Sequence, residues 1–112
     1  HNLTIVGTND ADMHAAATRL IELGGGLCVA RDGRIIAETP LPIAGLMSDA
    51  QAPVLCKQLN AVHDAARSIG GKLRRPFMAL SFLTLSVIGK LKVTDRGLVD
   101  VDRFQLVDLM AT

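Results

Sequence analysis

The stretch LIELGGGLCVARDGRIIAE, residues 20–38, restricts the fold more than any other part of the chain. Three consecutive glycines end whatever helix precedes them, because glycine is a poor helix former and readily takes the left-handed backbone that caps one. Upstream, Met13, Ala16, Ala17, Leu20 and Ile21 recur at i, i+3, i+4, i+7 and i+8, the spacing of one buried helical face. Downstream, two short apolar runs, Leu27–Ala30 and Arg34–Ala37, flank Arg31-Asp32-Gly33. Asp-Gly between such runs is a strong hairpin signal, since both residues tolerate positive φ. A helix, an abrupt stop and an antiparallel hairpin therefore follow one another within about thirty residues.

The rest of the chain extends this alternation. Leu3–Gly7 (LTIVG) is a β-branched apolar run and reads as a buried strand. Thr8, Asn9 or Asp10 can cap the helix after it, and Asp12 places negative charge at the positive end of its dipole. A second helix is expected after residue 48: Ser48 and Gln51 have capping-box spacing, Pro53 fits a first turn, and Leu55, Leu59, Val62, Ala66 and Ile69 form one face up to Gly70-Gly71. Pro76–Leu85 alternates loosely and reads as a central strand buried on both faces. Lys90–Thr94, the turn Asp95-Arg96-Gly97 and Leu98–Val101 suggest a last hairpin. The expected fold is thus α+β, a two-layer sandwich in β-α-β-β-α-β order with a C-terminal extension.

Composition narrows the function classes. The chain has 112 residues, 49% of them hydrophobic, and a formal charge of +1 from 12 basic and 11 acidic residues. That size supports one domain with a real core. Without a run of like charge there is no footprint for nucleic acid or anionic lipid, and three phenylalanines as the only aromatics give no stacking platform for bases. The longest uncharged stretch, Pro76–Gly89, is too short to span a bilayer, which needs roughly 20 residues. Cys28 and Cys56 lack CxxC spacing and sit in apolar segments, so both are expected as buried free thiols in a reducing, cytoplasmic compartment.

No residue pattern carries catalysis. His14 shares a polar helix side with Thr18 and Glu22, and His63 and Asp64 are adjacent on a helix and so point apart. HxH, HxxxH and HExxH are all absent, Ser48 lies in neither GxSxG nor SxxK, and Asp95, Asp100 and Asp102 lack a Ca²⁺-loop pattern. Gly7-Thr8-Asn9-Asp10 between strand and helix is geometry that can bind an anion, but Asp10 and Asp12 repel phosphate and capping explains the segment. One loop stands out instead. TPLPIAGLMSDAQAP, residues 39–53, is too apolar for a solvent-facing connection. Leu41 and Ile43 are expected in the chain's own core, and Leu46 and Met47 at an interface.

The runs HNLTIVGTNDADM, LIELGGGLCVARDG, TPLPIAGLMSD and RPFMALSFLTLSVIGKLKVTDRGLVDV, in this order from His1 to about Phe104, resemble successive landmarks of the C-terminal region of bacterial adenine deaminase, in the amidohydrolase superfamily. The resemblance implies a parent enzyme that converts adenine and water to hypoxanthine and ammonia at a metal centre in an upstream (β/α)₈ barrel. It implies Mn²⁺ or Fe²⁺ there, activating water for attack at C6. The family's metal ligands and purine contacts map to nothing in this chain, so no catalytic or metal-binding residue is assigned to it. His1 and Asn2 are what remains of a polar H-D-S-H-N segment and are the only positions assigned a possible approach to substrate. Serine at 86 and glycine at 89 replace prolines usual in the family, which loosens the expected backbone over residues 86–92.

The expectation is therefore an incomplete C-terminal domain, an excised piece of a deaminase that packs against the barrel, with a contact to a second subunit as a further role. The alternative is a free-standing α+β module that dimerises or binds a small ligand.

Overall fold

A computed structural model describes residues 2–110 of the chain. They divide into two compact units, Ile5–Pro76 and a second that joins residues 2–4 to residues 77–110.

In the first unit, α1 (Asp10–Leu23) starts where Asn9, with extended backbone, accepts the Asp12 N–H on its side chain at 2.9 Å. Asn9 Nδ2 returns a bond to Asp12 Oδ2 at 2.9 Å, so a carboxylate of the chain itself takes up this helix start. The helix stops at Gly24 (φ 72°), whose N–H bonds the Ile21 carbonyl while that of Gly25 bonds Leu20. This is the glycine stop the sequence predicts. Strands β1 (Gly26–Arg31) and β2 (Arg34–Pro40) then pair antiparallel about Asp32 (φ 54°) and Gly33 (φ 71°). Two consecutive positive φ values make the twisted turn that Asp-Gly favours. The Gly33 N–H donates to Asp12 Oδ1 at 2.6 Å, tying the hairpin tip to the start of α1. Bonds from Asn9 and then Gly33 hold the Asp12 carboxyl below its usual range.

The register shifts between Val29, opposite Ala37, and Ala30, opposite Ile35. Ile36 is left as the extra residue of a bulge. Cys28 and Glu38 are cross-strand partners, and both reach α1: the Cys28 thiol donates to the Ala16 carbonyl at 3.5 Å, and Arg19 grips Glu38 through Nε (2.7 Å) and Nη2 (2.8 Å). Burial raises the Cys28 thiol pKa, and the Arg19 bond holds Glu38 below the usual carboxylate range. A carboxyl depressed by folding stabilises the folded state above its unfolded pKa, and that contribution disappears as pH falls through the folded value. Acid titration of the unfolding midpoint below about pH 4.5 should therefore show a drop that Glu38→Gln makes shallower.

Helix α2 (Ala52–Ser68) packs chiefly on β2, as α1 does on β1. Its face follows the predicted period: Val62 and Ala66 are buried, Leu55 and Leu59 half-buried. The predicted capping box does not form. Gln51 is the N-cap without a side-chain bond, and Ser48 Oγ accepts from the Ala50 N–H at 3.1 Å in the preceding turn. Pro53 explains this, because it has no N–H to bond the Asp49 carbonyl in a helix begun at Ser48 and none at the second position for Gln51 to accept. The ends of both predicted faces, Ile21 and Ile69, are exposed.

The buried side chains of this unit are Ala16, Val29, Thr39, Val62 and Ala66. Thr39 is fully buried, and its hydroxyl has no partner among the described residues. Thr39→Val keeps the shape and removes an unsatisfied polar group, so it should stabilise the chain by about 1 kcal/mol in urea unfolding.

The second unit departs most from the sequence reading. Pro76–Leu83 is a helix, α3, and not a central strand. PFMALSFL contains no β-branched residue, Pro76 is preorganised for a first turn, and the Ser81 hydroxyl bonds the Met78 carbonyl at 2.8 Å within the helix. Leu3–Gly7 is likewise not a strand: no described strand pairs with it, and Leu3 and Val6 are exposed. An apolar run becomes a strand only beside a neighbour that takes up its backbone bonds. The expected hairpin forms as β3 (Leu91–Thr94) and β4 (Gly97–Asp100), to which an unanticipated β5 (Gln105–Val107) adds in the order β3-β4-β5. The class is mixed α+β, helices with two small antiparallel sheets. No described side chain of the second unit is fully buried, whereas Met78, Phe82, Leu91, Val93, Phe104 and Leu106 are exposed.

Candidate functional site

The segment between β2 and α2 is apolar at its tip and fixed in its backbone. Ile43 and Met47 form a β-bridge, each N–H bonding the other's carbonyl at 3.1 Å, and the Leu46 N–H also reaches Ile43 at 3.0 Å. Ala44 (φ 57°) and Gly45 (φ 71°) make the turn between them. The tip is seated on the entry to β1: Leu41 N–H bonds the Gly25 carbonyl at 3.1 Å, and a Cβ on Gly25 would lie 2.6 Å from Gly45 Cα. Only a glycine allows that approach.

This rigid tip holds its apolar side chains outward. Ile43 is 45% exposed, Leu46 54% and Met47 59%. Ile43 was expected in the core beside Leu41. Leu41 is half-buried, but the bridge places Ile43 directly opposite Met47, and opposed residues share a face. Ile43 therefore joins Leu46 and Met47 at the tip.

Among the described residues 21 large hydrophobic side chains are exposed, the three at the tip with them.

The sequence profile of the adenine deaminase C-terminal domain matches residues 1–105. The chain belongs to the adenine deaminase C-terminal domain family. It is 53% identical over 109 residues to an adenine deaminase of Oleidesulfovibrio alaskensis, covering 97% of this chain and 19% of the relative. It is 52% identical over 107 residues to adenine deaminases of Brucella anthropi and Methylobacterium nodulans, covering 96% of the chain and 19% of each. The chain thus spans about one fifth of the length of the curated relatives it matches.

His1 lies outside the described residues; Asn2 is exposed and lines a shallow hollow of about 210 Å³ with Leu3, Thr84, Val93, Thr94 and Asp95. His14 is exposed, and His63 Nδ1 donates to the Leu59 carbonyl one turn back at 2.7 Å. Asp64 pairs with Arg67, and Asp100 with Arg103 at 3.6 Å. The cysteines are free, but Cys28 is half-buried and Cys56 exposed, so the expectation of two buried thiols is corrected. Cys56 follows Leu55 on α2 and is turned about 100° from it around the helix, off the buried stripe.

Among the described residues no three His, Cys, Asp or Glu side chains form a group that could hold a metal ion. The donors among the described residues do not fit a Mn²⁺ or Fe²⁺ centre. No described helix is long and apolar enough to cross a membrane. Leu46 and Met47, singled out by the sequence for their apolarity, are brought together at the tip; Ile43 is the member sequence reasoning missed. The nearest signal in the sequence is Gly45 alone, since Ala44 does not favour the positive φ it takes.

Proposed function

We propose that this chain is the C-terminal domain of an adenine deaminase and serves it as a packing domain, supplying no reacting group. The observation that carries this reading is the apolar surface left uncovered by a domain that spans one fifth of its relatives' length. The whole enzyme hydrolyses adenine to hypoxanthine and ammonia in the cytoplasm, where two free thiols are stable. The ligands of its Mn²⁺ or Fe²⁺ and its purine contacts belong to upstream residues, and contact with a second subunit is a further role for the same kind of surface.

The test is ammonia release from adenine by the full-length gene product, alongside a version that ends before this domain. Turnover by the full-length protein and its loss on truncation, with the truncated body aggregating, are expected. A full-length protein inert toward adenine, or a truncated body that is soluble and fully active, would contradict the proposal.

A further inference from the structure

The geometry points to the tip Ile43-Ala44-Gly45-Leu46-Met47 as a preformed anchor that inserts into an apolar concavity on the upstream part of the same polypeptide. This rests on the reading of the chain as a domain of a larger deaminase. Three observations carry it. First, the backbone is fixed before any partner arrives: the Ile43–Met47 bridge, the seat of Gly45 on Gly25, and Pro40 and Pro42 at the approach leave little freedom to lose on docking. Ala44 is held at φ 57°, a left-handed backbone that disfavours a non-glycine residue, and such strain persists only where the surroundings over-determine it. Second, what this frame displays is unbranched or γ-branched apolar bulk, Leu46 and Met47, with Ile43 opposite, the composition of a side that fills a hydrophobic pocket.

Third, the area selects the occupant. From their exposures the three side chains offer on the order of 300 Å², well below the roughly 800 Å² per partner of a stable association between separate proteins. The tip by itself cannot hold a second copy of the chain. Within one polypeptide the requirement is smaller, because covalent linkage replaces bimolecular encounter by a high effective concentration. The relatives matched over 19% of their length carry four fifths of their chain outside this domain, and that remainder is the tethered surface available. The chain's near-neutral charge, +1, fits a contact made by apolar burial and not by charge pairing.

The experiment is cysteine footprinting of the full-length protein. Leu46→Cys, Met47→Cys and, as an exposed reference on the outer side of α2, Lys57→Cys are each made in a Cys56→Ser background. Labelling by a water-soluble maleimide is read peptide by peptide by mass spectrometry. Labelling at 46 and 47 about tenfold slower than at 57, unchanged on dilution to the monomer as judged by light scattering, is the expected result. Equal rates at all three sites would place the tip in solvent and overturn the proposal. Protection that disappears on dilution would make the occupant a second copy and overturn it equally. Adenine turnover is measured on the same samples: an inert protein with a protected tip would sink the deaminase assignment while leaving the anchor intact.

Discussion

Gly25→Ala should destabilise the chain by about 3 kcal/mol, read as a fall in the urea midpoint without a change in slope. Gly25 has φ +123°, where an L side chain is strained, and the added Cβ would meet Gly45 Cα at 2.6 Å and the Leu41 carbonyl at 3.4 Å. Both obstacles are backbone and cannot swing away. Relief requires the 41–47 segment to lift off β1, which breaks the bond from Leu41 N–H to the Gly25 carbonyl. The neighbouring Gly24 is the control: it too has positive φ (+72°), but nothing lies within 4 Å of its Cβ position. Gly24→Ala should cost only about 1 kcal/mol, the price of the left-handed backbone alone. Equal losses at the two glycines would mean that the tip is not seated on β1.

Val62→Asp is expected to abolish the folded first unit. Val62 is fully buried in α2, in a unit whose other buried side chains are Ala16, Val29, Thr39 and Ala66. An aspartate there either stays charged without a counterion or takes up a proton, and the loss should exceed about 4 kcal/mol. That is a large part of the roughly 5–15 kcal/mol that holds a domain of ordinary stability. Val62→Ala separates packing from charge: it removes two methyl groups and should cost about 2 kcal/mol while leaving a cooperative transition. Far-UV circular dichroism and urea unfolding distinguish the two variants, and a Val62→Asp chain as stable as Val62→Ala would contradict the core described here.

The Val62 prediction falls where sequence and structure agree, and the reason is local. Asn9 as cap, the glycine stop at 24, the Asp32-Gly33 turn and the 3.6-residue face of α2 each depend on neighbours within a few positions. The misread elements depend on partners far away. Leu3–Gly7 has strand composition but no strand beside it, and composition cannot supply one. PFMALSFL is a short apolar run in which periodicity does not separate a buried strand from a helix; Pro76 and the absence of β-branched residues were the better guide. At Gln105–Val107 three residues are too few to show alternation at all.

The candidate site was legible in the same uneven way. Its greasiness is plain in Leu46 and Met47, whereas the outward turn of Ile43 follows from the bridge to Met47 and from the contact of Gly45 with Gly25, twenty residues earlier. No periodic pattern encodes a contact between two loops.

A packing domain should have its apolar surface covered by the rest of a larger protein. Hydroxyl-radical footprinting of the full-length protein tests it directly, because Met47, Met78, Phe82 and Phe104 are all exposed in this chain and all react readily. Oxidation at Met47, Met78 and Phe82 should be slower by about tenfold or more than in the urea-unfolded protein, as for side chains inside an interface. Oxidation of these residues at the unfolded rate would contradict it.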